Sequence, residues 1–327
     1  MAMELIGVAG MTPELKQFYD KKLLSVAETD AVFLQWGVKR PIPARGGKSV
    51  EFRRFERITI TAGSYTLTEG TPPAVTQGTI SSVAGTISQY GQYTQITDLL
   101  ETQGYDSIIA EWSEKYGLAM SEGLDIVVRN GLSSATTLQY SDTAIQVGTS
   151  GTGSVGSGNY LDAAELLEMD RTLRRNGARK YQTPNGPRWM CFIHPDNKLD
   201  LMQDPDISDN FVNAMPPGPQ NPVIAGVVGD WMGIRFVETN NLRLRTSYGM
   251  SGADIYEVIM MGQEFYGVTE LSALQARMII HPRGTGGHTD PLEQYSTIGW
   301  KAALATVILN NSFGGIIYCA SSRSNSA

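Results

Sequence analysis

The chain has 327 residues, of which 41% are hydrophobic and 18% charged, and its formal net charge at pH 7 is −7. This composition is typical of a globular protein with one large domain or two interleaved ones. The acidic balance argues against a dedicated nucleic-acid-binding surface, because neutralising phosphates requires clustered lysine and arginine. Residues 1–11 lack the features of a signal peptide, and the longest apolar run, residues 302–309, is too short to span a membrane. We therefore expect a soluble protein that is made inside the cell.

The first 47 residues contain one modest amphipathic helix, predicted over residues 12–27 with Pro13 at its first helical position. Phe33 and Trp36 follow, and residues 39–43 are predicted to be extended. This segment has too little apolar material for a core of its own. Its aromatic residues favour docking on a neighbouring surface over a mobile tail.

A long two-stranded ribbon is predicted next, over residues 48–97. Residues 49–61 alternate between apolar and polar side chains, residues 62–78 are rich in glycine and proline, and residues 79–97 return as a second extended segment. An isolated two-stranded ribbon is only marginally stable in water. The ribbon therefore needs a partner surface, and the simplest partner is another copy of the chain.

Two helices are predicted after the ribbon. The first covers residues 105–129, with Asp106 as its cap, apolar residues at intervals of three and four, and Gly131 at its end. The second covers residues 161–176 and stops at Gly177.

Strands are predicted mainly in the second half of the chain, and residues 132–158 are predicted to be a loop or short strands. The strands cover residues 189–193, 233–237, 255–261, 276–280, 297–307 and 315–319, with a short helix over 197–203. Because helices dominate early and strands late, the pattern favours an α+β fold over alternating βαβ units.

Few residues suggest catalysis or ligand binding. Gly151–Gly156 matches G-x-G-x-x-G, but Gly158, Asn159 and Tyr160 intervene before the next helix, whereas a dinucleotide site needs the helix to begin within the motif. The three histidines have no second histidine at metal-ligand spacing, and no serine lies in a G-x-S-x-G elbow. Cys191 and Cys319 lie in apolar runs and are predicted to be buried, reduced thiols. We expect no catalytic residue, no metal and no cofactor.

Several runs of residues resemble the N4 gp56-like family of major capsid proteins of tailed bacteriophages, which has the HK97 fold. The similar runs are residues 18–24, 39–43 with 47–55, 66–70 (TLTEG), 89–93 (QYGQY) and 290–301 (DPLEQYSTIGWK). They span nearly the whole chain in the expected order, and their specificity comes from number and order rather than from any single motif.

This resemblance implies an α+β, HK97-like capsid fold with an N-terminal arm, an extended β-hairpin E-loop, a long spine helix, and peripheral and axial domains. The implied boundaries are residues 1–47 for the arm, 48–97 for the E-loop, 98–159 for the peripheral domain with its spine helix over 105–129, 160–270 for the axial domain, 271–310 for the return strands of the peripheral domain, and 311–327 for the C-terminal strand of the axial domain.

The implied function is self-assembly as hexamers and pentamers into the icosahedral head shell around double-stranded phage DNA. The partners would be the chain itself, the portal protein, scaffold and cement or decoration proteins, and packaged DNA held only weakly; a membrane is not expected. The protein would be found in the virion, and in the host cytoplasm during assembly. The candidate inter-subunit contacts are Phe33, Trp36, Arg53, Arg54, Arg57, Tyr65 and Glu69.

Two other classes of function stay open at this point. One is a nucleotide-binding oxidoreductase that uses the Gly151–Gly156 loop. The other is a soluble binding protein whose oligomer is closed by exchange of the arm. Cofactor titration would separate the first class from a shell protein, and particle size would separate the second.

Overall fold

The computed structural model describes residues 32–42, 47–56, 58, 69–71, 77–103, 108–141, 143–147, 155–183, 186–207, 230–270, 276–285 and 292–323. Three predicted features lie outside these residues: the helix over 12–27, most of the tip over 62–78, and the glycine motif as far as residue 154.

The described part of the chain contains helices α1 (Phe33–Trp36), α2 (Asp98–Gln103), α3 (Ile108–Leu132), α4 (Ala163–Arg175) and α5 (Pro195–Gln203), and short 3₁₀ turns at Met250–Gly252 and Asn311–Phe313. Its strands are β1 (Val38–Lys39), β2 (Ser49–Phe55), β3 (Ile80–Thr86), β4 (Ser88–Thr97), β5 (Thr137–Tyr140), β6 (Thr143–Val147), β7 (Tyr181–Thr183), β8 (Gly186–Ile193), β9 (Asp230–Trp231), β10 (Ile234–Glu238), β11 (Leu244–Arg245), β12 (Ile255–Met261), β13 (Tyr266–Glu270), β14 (Arg277–His281), β15 (Tyr295–Ile308) and β16 (Gly314–Cys319). None of these helices is both long enough and apolar enough to cross a membrane.

The strands form a five-stranded sheet, a nine-stranded sheet and a separate two-stranded ribbon. In the five-stranded sheet, β4 runs antiparallel along one edge of β15, while β13 and β14 pair with its opposite edge and β1 extends the sheet beside β13. The nine-stranded sheet has the order β6-β5-β16-β12-β8-β10-β9, with β7 and β11 paired to β8 and β12. The ribbon consists of β2 and β3.

The core is continuous from the five-stranded sheet to the nine-stranded one. Helix α3 packs on β15, and its buried face, with Met120, Leu124, Val128 and Leu132, joins the same apolar cluster as the strands of the larger sheet. Every residue of β12 and β16 is buried. Apart from Glu257 in β12 these strands are apolar or glycine, and both are central, with neighbouring strands on both sides.

Local sequence signals explain where helix α4 begins and ends. The carboxylate of Asp162 accepts hydrogen bonds from the amides of Ala164 and Glu165, and the Glu165 side chain accepts one from the amide of Asp162. Gly177 has a φ of +75°, a left-handed conformation that glycine adopts without strain. The predicted stop at Gly177 is confirmed, whereas the capping box was not recognised in the sequence.

The first long helix differs from its prediction at its end. Gly131 lies inside α3, which continues to Leu132, because the fully buried Leu132 extends the apolar face by one more residue. Gly131 is used for close packing: a Cβ added there would lie 2.8 Å from Cγ2 of Thr306. The predicted start of the helix at residue 105 and its cap at Asp106 lie outside the described residues.

The predicted ribbon over residues 48–97 is longer than the observed one. The segment 79–97 divides at Ile87, whose buried side chain and amide hydrogen bond to the Lys48 carbonyl turn the chain from the ribbon into the five-stranded sheet. Strand β4 then pairs with β15 over its whole length, so only β2 and β3 form the ribbon.

The predicted domain boundaries also differ from the division between the sheets. Strands β5 and β6, expected in the peripheral domain, belong to the nine-stranded sheet, and β13, expected in the axial domain, belongs to the five-stranded one. The predicted return strands over 271–310 contain β14 and β15 of the five-stranded sheet, and β16 completes the larger sheet. The chain therefore crosses between the sheets as often as the predicted boundaries imply, but at different residues.

Candidate functional site

The ribbon is fixed to the chain's own five-stranded sheet at its base. Val50, Phe52 and Gly85 lie on its inner face, and Phe52 is buried against Gly267, where an added Cβ would lie 2.8 Å from Cζ of the ring. Gly85 lies against Val307 and has no room for a side chain. The base of the ribbon is therefore held by side-chain packing rather than by strand pairing with the sheet.

The other end of the ribbon exposes an apolar pair. Phe55 and Ile80 lie directly opposite each other in β2 and β3, and they are 81% and 57% exposed. Cross-strand pairs of an aromatic and a β-branched residue stabilise a sheet, but here the pair has little other apolar surface to cover it. This pair is the candidate interaction surface of the ribbon.

Two of the ribbon arginines that were predicted to contact a neighbour form ion pairs with glutamates in β2 or directly after it. Nη2 of Arg53 lies 3.1 Å from Oε2 of Glu51, and Nη2 of Arg54 lies 2.6 Å from Oε1 of Glu56. A hydrogen bond from the Ser82 side chain, reinforced by Arg53, lowers the pKa of Glu51. Hydrogen bonds from the side chains of Ser81 and then Arg54 lower the pKa of Glu56 in the same way. Both pairs are exposed to solvent and contribute little to folding.

Phe33, predicted to contact a neighbour, is instead part of the chain's own core. Its side chain has no exposed surface, and its ring centroid lies 4.7 Å from that of Phe192. Its amide donates a 2.7 Å hydrogen bond to Oδ1 of Asp125 in α3, and the hydroxyl of Tyr266 donates to its carbonyl oxygen. A neighbouring subunit could reach Phe33 only by opening this core.

Asp125 anchors the described part of the arm to α3. Its carboxylate is fully buried and accepts hydrogen bonds from the amide of Phe33 and, at 3.2 Å, from the side chain of Asn241. Burial raises the pKa of Asp125, because removing the carboxylate from water opposes its ionisation more than these hydrogen bonds favour it.

Trp36 is half-buried against the chain itself. Its ring meets that of Tyr181 edge-on with centroids 5.5 Å apart, and the Tyr181 hydroxyl donates a 2.9 Å hydrogen bond to the Trp36 carbonyl oxygen. Glu69 is exposed. Arg57 and Tyr65 lie outside the described residues. The described candidates are therefore not gathered at one site.

A model of the phage capsid protein family matches residues 80–317 of the chain. This match extends from the ribbon strand β3 into the central strand β16, and it includes both sheets. The chain belongs to the phage capsid protein family.

Solved phage capsids have the same fold as this capsid protein. The capsid of Ralstonia phage GP4 has a TM-score of 0.68 at 12% identity and covers 90% of this chain and 92% of its own. The capsid of cyanophage P-SCSP1u gives 0.61 at 17% identity, with 89% of each chain covered. That of cyanophage Pam1 gives 0.64 at 15% identity, with 87% and 88% covered. A comparison with curated protein sequences found no match.

These findings establish a major capsid protein with an α+β, HK97-like fold, and they support neither rival class. The end of the glycine motif also has a local role, because the amide of Gly156 donates a 2.7 Å hydrogen bond to Oδ1 of Asn159. Membership of the family implies a structural protein rather than an enzyme. Within the described residues, no group of three or more His, Cys, Asp or Glu side chains could hold a metal ion.

The remaining reactive side chains have structural environments. Cys191 and Cys319 are buried and free, as predicted, and burial raises the pKa of both thiols. Nδ1 of His194 accepts a hydrogen bond from the Asp196 amide at the start of α5. His281 is exposed at the end of β14.

A buried ion pair in the capsid protein was missed by the sequence reasoning. Glu257 has no exposed surface in β12, its carboxylate pairs with Arg245, and it accepts a 2.7 Å hydrogen bond from the Ser133 hydroxyl. The signal for it is a single glutamate within the apolar run 255–261, since a buried charge needs a partner. The pair links β11 to β12, and the hydrogen bond from Ser133 joins the end of α3 to the nine-stranded sheet.

Proposed function

We propose that copies of this capsid protein assemble as hexamers and pentamers into the icosahedral head shell that encloses double-stranded phage DNA. In this proposal, the β2–β3 ribbon is the E-loop and lies on an adjacent subunit. The observation that carries it is the pair Phe55 and Ile80, exposed at the end of a ribbon whose base is packed firmly on its own sheet. Such a pair gains stability only when another surface removes it from water.

The N4 gp56-like subfamily is the finer assignment that we propose. Its support is the set of similar runs, of which two lie side by side: residues 89–93 in β4 pair with residues 299–303 in β15. These runs are about 200 residues apart in sequence, and their strand pairing explains how both can belong to one structural feature.

The two sheets suit the two domains expected of this fold. We assign the five-stranded sheet with α3 as its spine to the peripheral domain, and the nine-stranded sheet to the axial domain around the capsomer symmetry axes. This assignment places β5 and β6 in the axial domain and β13 in the peripheral domain, following the strand pairing.

Trp36, Arg53, Arg54, Arg57, Tyr65 and Glu69 remain proposed inter-subunit contacts. Arg53 and Arg54 already have exposed carboxylate partners two residues away in the chain, at 3.1 and 2.6 Å. An acidic residue of a neighbour would therefore share these arginines rather than find them unpaired. We expect the charged pairs to orient subunits, while apolar contacts supply most of the affinity.

The further partners that we propose are the portal protein and scaffold and cement or decoration proteins. Assembly would take place in the host cytoplasm. The net charge of −7 favours weak binding to packaged DNA, which would let the genome slide during filling. Tight binding of DNA by purified subunits, strongly dependent on salt, would contradict this last point.

Negative-stain electron microscopy of the expressed protein, alone and with the products of neighbouring genes, tests the assembly. We expect uniform icosahedral shells, or free hexamers and pentamers. A closed dimer or trimer under every condition would contradict the proposal, and so would binding of a nicotinamide or flavin cofactor in a titration of the same sample.

A further inference from the structure

The described residues cover only half of one face of the five-stranded sheet. Trp300 of β15 points toward α3, because a Cβ added to Gly123 would lie 3.6 Å from Cζ2 of its ring. Side chains alternate along a strand, so the residues on either side of Trp300 face away from the helix. Toward the end of β15, this outer face is covered by Ile42, Ile87 and Val50, which pack on Ala303 and Ala305. Toward the start of β15, the described residues leave it open.

The open half contains a groove of about 450 Å³. Its floor has two glycines: Gly91 lies opposite Lys301, and Gly299 lies opposite Tyr93. Neither glycine can carry a side chain, because a Cβ would lie 2.7 Å from the Trp300 carbonyl oxygen or 2.6 Å from that of Gln92. The strands therefore approach closely here and leave a trough beside Tyr93, whose side chain is 69% exposed.

The chain itself shows what kind of residue this sheet face accepts. Further along the same face, Phe52 of the ribbon lies on Gly267, which pairs with Val307. An aromatic side chain from β2 thus fills the space above a glycine of the five-stranded sheet. Gly91 and Gly299 are two more glycines of the same sheet. Among the described residues, no aromatic side chain of the ribbon lies on them.

We propose that Phe55 and Ile80 of a second copy of the chain occupy this glycine groove; the inference rests on the proposed shell assembly. The pair is exposed, apolar and carried by the same ribbon that already packs Phe52 on the sheet. Because every subunit has one ribbon and one groove, the contact repeats head to tail around a ring of subunits.

A ribbon cannot make this contact within its own chain. Phe52 lies beside Gly267 and Val307, and Gly299 is eight residues from Val307 along β15, which is about 27 Å in an extended strand. Phe55 lies farther along the ribbon, where it borders a cavity with Asn176 and Arg179 near the end of α4. The groove and the apolar pair of one subunit are therefore separated, and each needs a neighbour.

Cysteine cross-linking tests this contact directly. Particles are assembled from a mixture of Ile80→Cys and Lys301→Cys chains and oxidised mildly, and covalent dimers are measured on a non-reducing gel. The native Cys191 and Cys319 are buried and do not compete. The matched control replaces Lys301→Cys with Lys115→Cys, an exposed position on α3, across the sheet from the groove.

We expect dimers from the Ile80→Cys and Lys301→Cys mixture, and none from the Lys115→Cys mixture or from either variant alone. Normal shells without the expected dimers would overturn the groove contact, would leave the proposed function standing, and would free the groove for a separate decoration protein. If wild-type chains form no shells at all, both proposals fail together.

Substitution of Tyr93 provides a second test that does not depend on disulfide geometry. Tyr93→Ala removes one wall of the groove, and Tyr93→Phe retains it. We expect Tyr93→Ala to raise the subunit concentration needed for assembly by about tenfold, with Tyr93→Phe close to wild type. Because Tyr93 is exposed, the urea unfolding midpoint of the free subunit should not change in either variant. Equal assembly by Tyr93→Ala and wild type would contradict the proposal.

Discussion

The nine-stranded sheet and the two-stranded ribbon differ in how far the rest of the chain removes their side chains from water. In the sheet, every residue of β12 and β16 is buried by other parts of the same chain. In β2 and β3, only Phe52 and Gly85 are buried. The sheet is therefore complete in one subunit, whereas we propose that the ribbon depends on surfaces that another subunit supplies.

This difference separates residues that stabilise the subunit from residues that drive assembly. A buried phenylalanine in the sheet and an exposed phenylalanine in the ribbon have the same side chain, so the two report on folding and on association respectively. Substitutions of Asp125, which anchors the arm, and of the partners of Glu51 in the ribbon test the same distinction with smaller effects.

The largest effect on folding is expected from Phe192→Ala. Phe192 is fully buried in β8 against Phe33, and its removal leaves a cavity between the larger sheet and the arm. We expect the free energy of unfolding of the free subunit to fall by about 3–5 kcal/mol. Urea denaturation followed by circular dichroism measures it.

The matched control for this variant is Phe55→Ala. Because Phe55 is 81% exposed, its removal should change the unfolding free energy by less than about 0.5 kcal/mol while it weakens assembly. Equal losses of subunit stability in the two variants would contradict the division between sheet and ribbon.

A smaller effect is expected from Asp125→Ala at the arm anchor. The variant leaves the buried amide of Phe33 without its acceptor, and we expect a loss of about 1–3 kcal/mol in unfolding free energy. The cut rate in limited proteolysis near residue 32 should also rise. Asp125→Asn keeps an acceptor oxygen and should lose less; a loss equal to that of the alanine variant would count against this role of the hydrogen bond.

The same carboxylate predicts a pH dependence. Since burial raises the pKa of Asp125 in the folded state, the folded subunit binds this proton more readily than the unfolded chain does. Its contribution to stability is thus fully present below the ordinary carboxyl pKa of about 4 and is lost as the pH rises through the folded-state pKa. Relative to Asp125→Asn, the wild type should therefore gain stability as the pH falls from neutral, as measured by urea midpoints. A wild-type stability that falls with the pH would contradict the raised pKa of Asp125.

The smallest effect is expected at the exposed ion pair of the ribbon. Ser82→Ala and Arg53→Gln should each move the pKa of Glu51 toward its ordinary value, because the hydrogen bond from Ser82 is the largest single cause of the lowered pKa, and the hydrogen bond and charge of Arg53 are the next two. Carboxyl titration by NMR measures both shifts. Neither variant should change the unfolding midpoint measurably, because exposed pairs contribute little. An unchanged pKa of Glu51 in Ser82→Ala would contradict the role of the hydroxyl.

The local part of the fold could be predicted from the sequence. Strand β12 has the predicted bounds, and α4 stops at Gly177 as expected, because apolar runs and a left-handed glycine act through neighbouring residues. Gly131 was interpreted wrongly because its role depends on Thr306, which is distant in sequence. The partner of β4 likewise lies about 200 residues away, and no local pattern identifies it.

The site was predicted less well than the fold. Aromatic content placed Phe33 at an interface, but its burial depends on Phe192 and Asp125, which only the folded chain brings to it. The apolar character of Phe55 was visible in the sequence, whereas its exposure was not, because exposure depends on where the ribbon leaves the sheet. The resemblance to capsid proteins supplied the function that individual residues could not.

Deletion of residues 63–78 tests the central claim most directly, namely that the ribbon serves assembly and not the folding of its own subunit. The deletion removes no buried residue among those that the structure describes. The account predicts a subunit with the wild-type urea midpoint that forms no shells in negative-stain micrographs. Closure of the deleted protein into normal particles would contradict it.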